Sequence, residues 1–451
     1  MSSKTNTKSS TFVFGNSFAS LVAISKLRDR NVDFVWVHDG TSVEGIWKGI
    51  SHKDRILDLG MINFELDVRH PNPSTDLSTY SQYLVNDCAR FSKFVSDFIS
   101  TEVELKQLPP IKVFEGGNLY PDHLISNDFS GLERFSFLAN TKIAMPDFLH
   151  PSRKYSFKGK ESLTNISYLD YVERFFGKDI AQNLFLNWAD RLIGANVSLA
   201  NTYRHRAAWL PLPYPETIQA AIAGTSIGDY SYNFQYPAEV TFSEYTNKIF
   251  LKLFEDSRIN RIDLNALEKD EIRQILDSAS DIFWGSKIDL FLSTVEEQNN
   301  FALTKFRNLI DIEVYEVQLP SSFTEYVILN NDPVDENWYR ITIVPNVILE
   351  GDRQIVVIES RESKVDFMAT QHFQLLGIRI DSHIKSFKGI PVFLTLDGEH
   401  YAQYEEWHKF LAFKYQNIDF GGGSSFAYSA TFSDQIIQGV KFSEKVNKND
   451  K

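Results

Sequence analysis

Residues 11–39 read TFVFGNSFASLVAISKLRDRNVDFVWVHD, and this stretch decides the architecture. Thr11 to Gly15 is a short apolar run stopped by a glycine. After it, Phe18, Leu21, Val22, Ile24 and Leu27 recur at close to helical spacing. Asn31 closes that helix, and Val32 to Val37 is rich in β-formers. Strand, helix and strand within roughly 30 residues make a β-α-β unit.

Working outward, a second glycine-bearing segment, Gly40 to Gly49, leads into RILDLG at Arg55 to Gly60. Residues of about 75–250 carry apolar side chains three or four apart, as in YSQYLVNDCARFSKFVSDFI and FSEYTNKIFLKLFED, and read mostly as helix. From Ile259 the character turns to short β-rich runs such as DIFWG, WYRITIVP and RQIVVIES. NIDFGGG and FSDQIIQGVKFSEKV then give a strand, a glycine turn and a closing helix. The fold expected is α/β, a Rossmann-like domain carrying an inserted helical-plus-sheet domain. The Rossmann-like part is expected from 11–75, 236–295 and 386–445. A mostly helical lobe is expected over 76–235 and a β-rich sheet over 296–385, with a disordered leader at 1–10 and a tail at 446–451.

The chain has 451 residues, 43% hydrophobic and 23% charged, a globular composition long enough for about two domains. Its 46 Lys+Arg against 59 Asp+Glu leave a net charge of −13, which argues against general nucleic-acid binding and against docking on acidic lipid. No apolar run reaches the roughly 20 residues of a membrane span. Aromatic residues reach 14%, enough for a large core or a deep pocket lined by rings. The single cysteine, Cys88, excludes an intrachain disulfide and a multi-cysteine metal site. A cytoplasmic protein acting on a small molecule is the expectation.

The turn after the first strand matters most for function. A dinucleotide fingerprint, G-x-G-x-x-G, needs its first glycine for the turn, its second for close approach of the pyrophosphate, and its third for helix–strand packing. Here these positions are Gly15, Ser17 and Ser20. Serine is small, its hydroxyl can donate to a phosphate oxygen, and the helix end that follows favours an anion. The acidic residue expected at the end of the second strand falls on His38, with Asp39 beside it. Two readings stand together: a degenerate nucleotide turn, or an ordinary serine-rich turn with no nucleotide.

The same stretch, continued through GTSVEGIWKG and RILDLGMINFE, resembles the opening of the flavin amine oxidase and protoporphyrinogen oxidase clan. Glu44–Gly45 stands where that clan has its second glycine pair, and Asp58-Leu59-Gly60 where it has D-x-G. SLTNISYLDYVERFFGKDIAQNLFLNWADRLIGANVSLAN resembles the clan's substrate lobe, and INRIDLNALEKDEI its return toward the adenine. DIFWGSKIDLFL is most similar to UDP-galactopyranose mutases, and IDFGGGSSFAYSATFSDQIIQGVKFSEKV resembles the closing motif, where a glycine turn meets the flavin and a helix points at it. The resemblance implies FAD, held by Gly15, Ser17, Phe18, Ser20, His38, Asp39, Gly45, Gly60, Leu267, Gly421, Gly422 and Ser433. It implies flavin-mediated oxidation of a small metabolite or, on the mutase side, a redox-neutral rearrangement of a nucleotide sugar. The departures at Ser17, Ser20, His38 and Glu44, and Gly422-Gly423 in place of an acidic residue, leave room for a third outcome. In that outcome the chain keeps the fold, loses the cofactor and acts as a binding or scaffold protein. A carboxylate at Glu44 would repel a pyrophosphate unless it pointed away or were neutralised.

Other constellations carry less. Gly224-Thr225-Ser226-Ile227-Gly228 matches G-x-S-x-G, but it follows helix-like PETIQAAIA instead of a strand, and so reads as a loop. The ten histidines show no metal-ligand spacing, and no metal is expected. Arg204 and Arg206, beside Tyr203 and Trp209, and Arg340, beside Trp338 and Tyr339, are candidate forks for a diphosphate or carboxylate substrate, or else salt-bridged structural residues. Trp284 lies near a flavin or in the core, and core is the simpler assignment.

Overall fold

Strands buried on both faces must be apolar along their whole length, and TFVF, FVWVH and DIFW are such runs. In the computed structural model they lie together in a parallel sheet. The structure describes residues 11–62, 64–65, 74–80, 90–126, 128–135, 138, 166–198, 200, 202, 210–211, 215–223, 234–295, 307–332, 338–351, 353–361, 371–394, 398–422 and 431–449. Five strands of these residues build the sheet: β1 (Thr11–Phe14), β2 (Phe34–His38), β3 (Asn260–Asp263), β4 (Asp281–Trp284) and β5 (Ile418–Phe420). Their spatial order is β3-β2-β1-β4-β5, so segments more than 200 residues apart pair directly at β1 and β4. Side chains alternate between the two faces. Phe14, Val37, Ile282 and Trp284 enter one apolar cluster, and Val13, Trp36 and Phe283 enter the other.

The second face is covered by three labelled helices: α1 (Phe18–Asp29), α2 (Phe242–Phe254) and α3 (Phe432–Asn449). Helix α1 starts because Ser17 caps it, accepting from the Ser20 amide, and it stops where Asn31 takes φ +54°. Helix α3 crosses α1 closely at Gly439, where a Cβ would stand 2.5 Å from the Ala19 carbonyl oxygen. Helix α2 begins with a reciprocal capping box between Thr241 and Glu244. Buried Asp58 adds to that end by accepting from the amides of Phe242 (3.1 Å) and Ser243 (2.7 Å).

The other large sheet has seven strands in the order Arg379–Leu394, Arg307–Gln318, Gln354–Ser360, Trp338–Ile348, Val327–Asn330, Lys112–Glu115 and Asn118–Pro121. It is antiparallel except where Val327–Asn330 pairs with Lys112–Glu115. Helices Tyr168–Phe176 and Asn187–Ile193 belong to the same lobe, and Trp188 meets Tyr339 of the sheet edge-on at 5.9 Å. Two differences from the sequence reading stand out. The stretch read as mostly helical also supplies strands at 105–107, 112–115 and 118–121, each only three or four residues long, too short for a period to register. Strand Arg379–Leu394 also runs past the boundary expected at 385. Among the described residues no helix is long and apolar enough to cross a membrane.

Candidate functional site

The carboxyl ends of β1, β4 and β5 bring three turns to one point, the place where open α/β sheets bind ligands. Gly15 has φ +86°, and a Cβ there would stand 2.7 Å from the Ser286 amide nitrogen, so this position admits glycine alone. Gly421 and Gly422 arrive from β5. The Gly421 amide bonds the Trp284 carbonyl at 3.0 Å, and any side chain at Gly421 would overlap the Phe283 ring. Gly422 has φ +56°, and its Cβ would lie 2.5 Å from Ser17 Oγ.

The two serines of the turn are accommodated by glycines from elsewhere in the chain. A Cβ on Gly285 would overlap Ser20 Oγ and come 2.6 Å from Ser17 Oγ. Bulk added at 17 and 20 is thus matched by bulk missing at 285 and 422. The hydroxyl protons can be followed as well. Ser20 Oγ donates to the Phe14 carbonyl at 3.0 Å, so its single proton is used there. Ser17 Oγ lies 3.0 Å from Ser20 Oγ, within hydrogen-bond distance, and accepts from the Ser20 amide at 3.3 Å. Both hydroxyls thus have hydrogen-bond partners within the turn itself.

Asn16, which the sequence reading passed over, is the most connected residue of the turn and is fully buried. Its side-chain amide donates to the carbonyls of Asp39 (2.6 Å) and Ser42 (3.0 Å). Its own backbone amide donates to Glu44 Oε1 at 3.0 Å, and the Glu44 amide returns a bond to the Asn16 carbonyl at 3.2 Å. Burial pushes the Glu44 carboxyl above its ordinary value, against the pull of the Asn16 amide; Asp39 pushes it further up and Lys287 down. Position 16 is an unconstrained x in the fingerprint, so the sequence held no signal for it. Glu44 was visible there, but the direction of its carboxylate was not.

The remaining candidates are dispersed. His38 turns Nδ1 to the Gly40 carbonyl at 3.0 Å and its ring to Phe254, and is held within the β2 turn. Asp39 serves Asn16 through its backbone. Phe18 stacks on Phe432 at 4.1 Å, and Phe242 and Trp47 pack on the same Phe432 ring. Ser433, in the first turn of α3, is buried beside that stack. Gly45, at φ +70°, faces open space. Leu267 packs into the apolar cluster with Phe14 and Val37. Gly60 lies against the buried Glu359 carboxylate, which a Cβ would approach to 3.1 Å.

Arg340 is not an open fork. Its Nε and one terminal nitrogen both bond Glu359, the latter at 2.6 Å, on the neighbouring strand in direct register. Burial opposes its charge, but Glu359 outweighs burial and the pKa rises. Arg204, Arg206 and Gly224 to Gly228 lie outside the described residues.

This geometry defines a class: a Rossmann-type α/β fold with an inserted sheet-and-helix lobe, the architecture of the amine oxidase and protoporphyrinogen oxidase clan. Solved structures bear that out. The chain is similar to a reduced UDP-galactopyranose mutase (TM-score 0.66, 14% identity, 98% of this chain and 96% of that one). It is also similar to a protoporphyrinogen oxidase-like protein from Exiguobacterium (TM-score 0.58, 10% identity, 98% and 99%). A putrescine oxidase bound to putrescine aligns as well (TM-score 0.52, 11% identity, 98% and 99%). No family model matches the sequence. No curated protein matches it either.

The residues at the turn do not fit the diphosphate of FAD. One residue before the α1 N-cap the Asn16 amide already serves a carboxylate of the chain itself, and within the first turn the Ala19 amide donates to Gln435 Oε1 at 3.2 Å. That carboxylate is one of the charges a diphosphate would have to approach, in a site where water screens it poorly. Further along, the Phe18–Phe432 stack fills the gap between the first turns of α1 and α3.

Proposed function

We propose that this protein keeps a flavoenzyme architecture as a scaffold for binding and works without a dinucleotide. The observation that carries this reading is the 3.0 Å bond from the Asn16 amide to the Glu44 carboxylate. Helix N-termini favour anions, and here the chain places its own carboxylate on the amide just before the α1 N-cap. The partner is a small metabolite or another protein of a biosynthetic assembly. Titrating purified protein with FAD while following flavin fluorescence tests the reading. No quenching is expected, and saturable stoichiometric quenching would overturn it.

A second reading, an FAD-dependent oxidoreductase, draws on the retained glycines. Gly15 and Gly422 keep positive φ and converge as a ligand cradle would. In the mutase version of that reading the diphosphate would fall to Arg204 or Arg206, because two nitrogens of Arg340 are committed to Glu359.

A further inference from the structure

We propose that Asn16 and Glu44 together form a built-in substitute for the ligand of this turn, and that removing Glu44 reopens the turn to a nucleoside diphosphate. The inference rests on the cofactor-free reading above and says how that state is held. Two jobs fall to a dinucleotide at such a turn: placing negative charge at the helix end, and bridging the β1 and β2 turns. The Glu44 carboxylate does the first, on the Asn16 amide. The Asn16 side chain does the second, spanning from the β1 turn to carbonyls at 39 and 42 and to the Asp39 amide at 3.4 Å.

A separate observation says what a reopened turn would offer. Ser286 Oγ and Gln438 Nε2 are buried, 1% and 6% exposed by residue, and neither atom has a hydrogen-bond partner among the described residues. Ser286 lies against Gly15, while Gln438 reaches the Gly422 amide through its other side-chain atom at 2.9 Å. Both can donate, and both sit where the three turns converge. The backbone cradle persists beneath them, because Gly15, Gly285 and Gly422 are each fixed by what a Cβ would strike. Two buried donors above that backbone cradle suit an anion such as a diphosphate, and the charge that opposes it is the resident carboxylate.

The experiment measures ADP binding by isothermal titration calorimetry to the full-length wild type, Glu44→Gly and Glu44→Gln. Thermal melts establish that each variant is folded. Glu44→Gly removes both charge and bulk, and an affinity gain of about tenfold or more over wild type is expected. Glu44→Gln keeps an oxygen for the Asn16 amide and removes only the charge, and a smaller gain is expected. Should Glu44→Gly fail to fold, Glu44→Gln decides alone. Folded variants that bind ADP no better than wild type overturn the inference and leave the cofactor-free reading standing. Wild type that already carries flavin overturns that reading, and the inference with it.

Discussion

Asn16 and Glu44 exchange backbone and side-chain hydrogen bonds across 28 residues, the Asn16 amide to the Glu44 carboxylate at 3.0 Å and the Glu44 amide to the Asn16 carbonyl at 3.2 Å. That pair joins the turn after the first strand to the loop after the second. It puts a charged group where burial disfavours charge, and a dependence on pH follows.

Burial is the largest influence on Glu44 and raises its pKa above the ordinary 4.5, so the folded protein holds this proton more tightly than the unfolded chain. Where the folded state binds more protons, stability falls as pH rises. The contribution of Glu44 is therefore most favourable below the ordinary carboxylate range and declines as pH climbs through the raised value. Asp39 and Lys287 face the same carboxylate with opposite effects. Glu44→Gln should remove this slope, leaving a variant at least as stable as wild type at neutral pH. Denaturant melts from pH 4.5 to pH 7.5 measure the difference; a wild type whose advantage over Glu44→Gln grows with pH contradicts it.

The α1–α3 crossing depends on one missing methyl group. Alanine usually gains about 1 kcal/mol over glycine inside a helix. At Gly439, however, the new Cβ would meet backbone atoms of α1, the Ala19 oxygen at 2.5 Å and the Ala23 nitrogen at 2.9 Å, and backbone cannot swing aside. Overpacking of this kind costs about 1–3 kcal/mol, so the clash outweighs the propensity gain. Gly439→Ala should lower the urea midpoint without altering the m-value.

Arg340 and Glu359 form a buried bidentate pair on adjacent strands. Arg340→Met would strand the Glu359 carboxylate, at an expected cost of about 3–5 kcal/mol. Adding Glu359→Leu should recover most of that loss, since an apolar pair of similar volume is often neutral. Equilibrium unfolding of the two single variants and the double variant forms the cycle that checks this.

The architecture was legible because strands covered on both faces write themselves as unbroken apolar runs, and TFVF and DIFW are adjacent partners in the sheet. The turn was legible only where backbone shape dictates the residue, as at Gly15 and Gly422. What stayed hidden depends on pairing between distant segments. The glycines at 285 and 422 make room for the serines at 17 and 20, and neither pair implies the other along the chain. Arg340 read as a candidate fork because its partner lies 19 residues away, and only strand register brings the two together. Asn16 occupies a position whose side chain the fingerprint ignores, so its role emerged only from the loop it faces.

The central claim is that this chain supplies its own anion at the β1–α1 turn and holds no dinucleotide. Denaturing protein purified under native conditions, and measuring flavin in the released fraction by absorption and mass spectrometry, tests it most directly. The account predicts colourless protein with no flavin released. One flavin per chain, in protein whose Asn16 and Glu44 are intact, would contradict it.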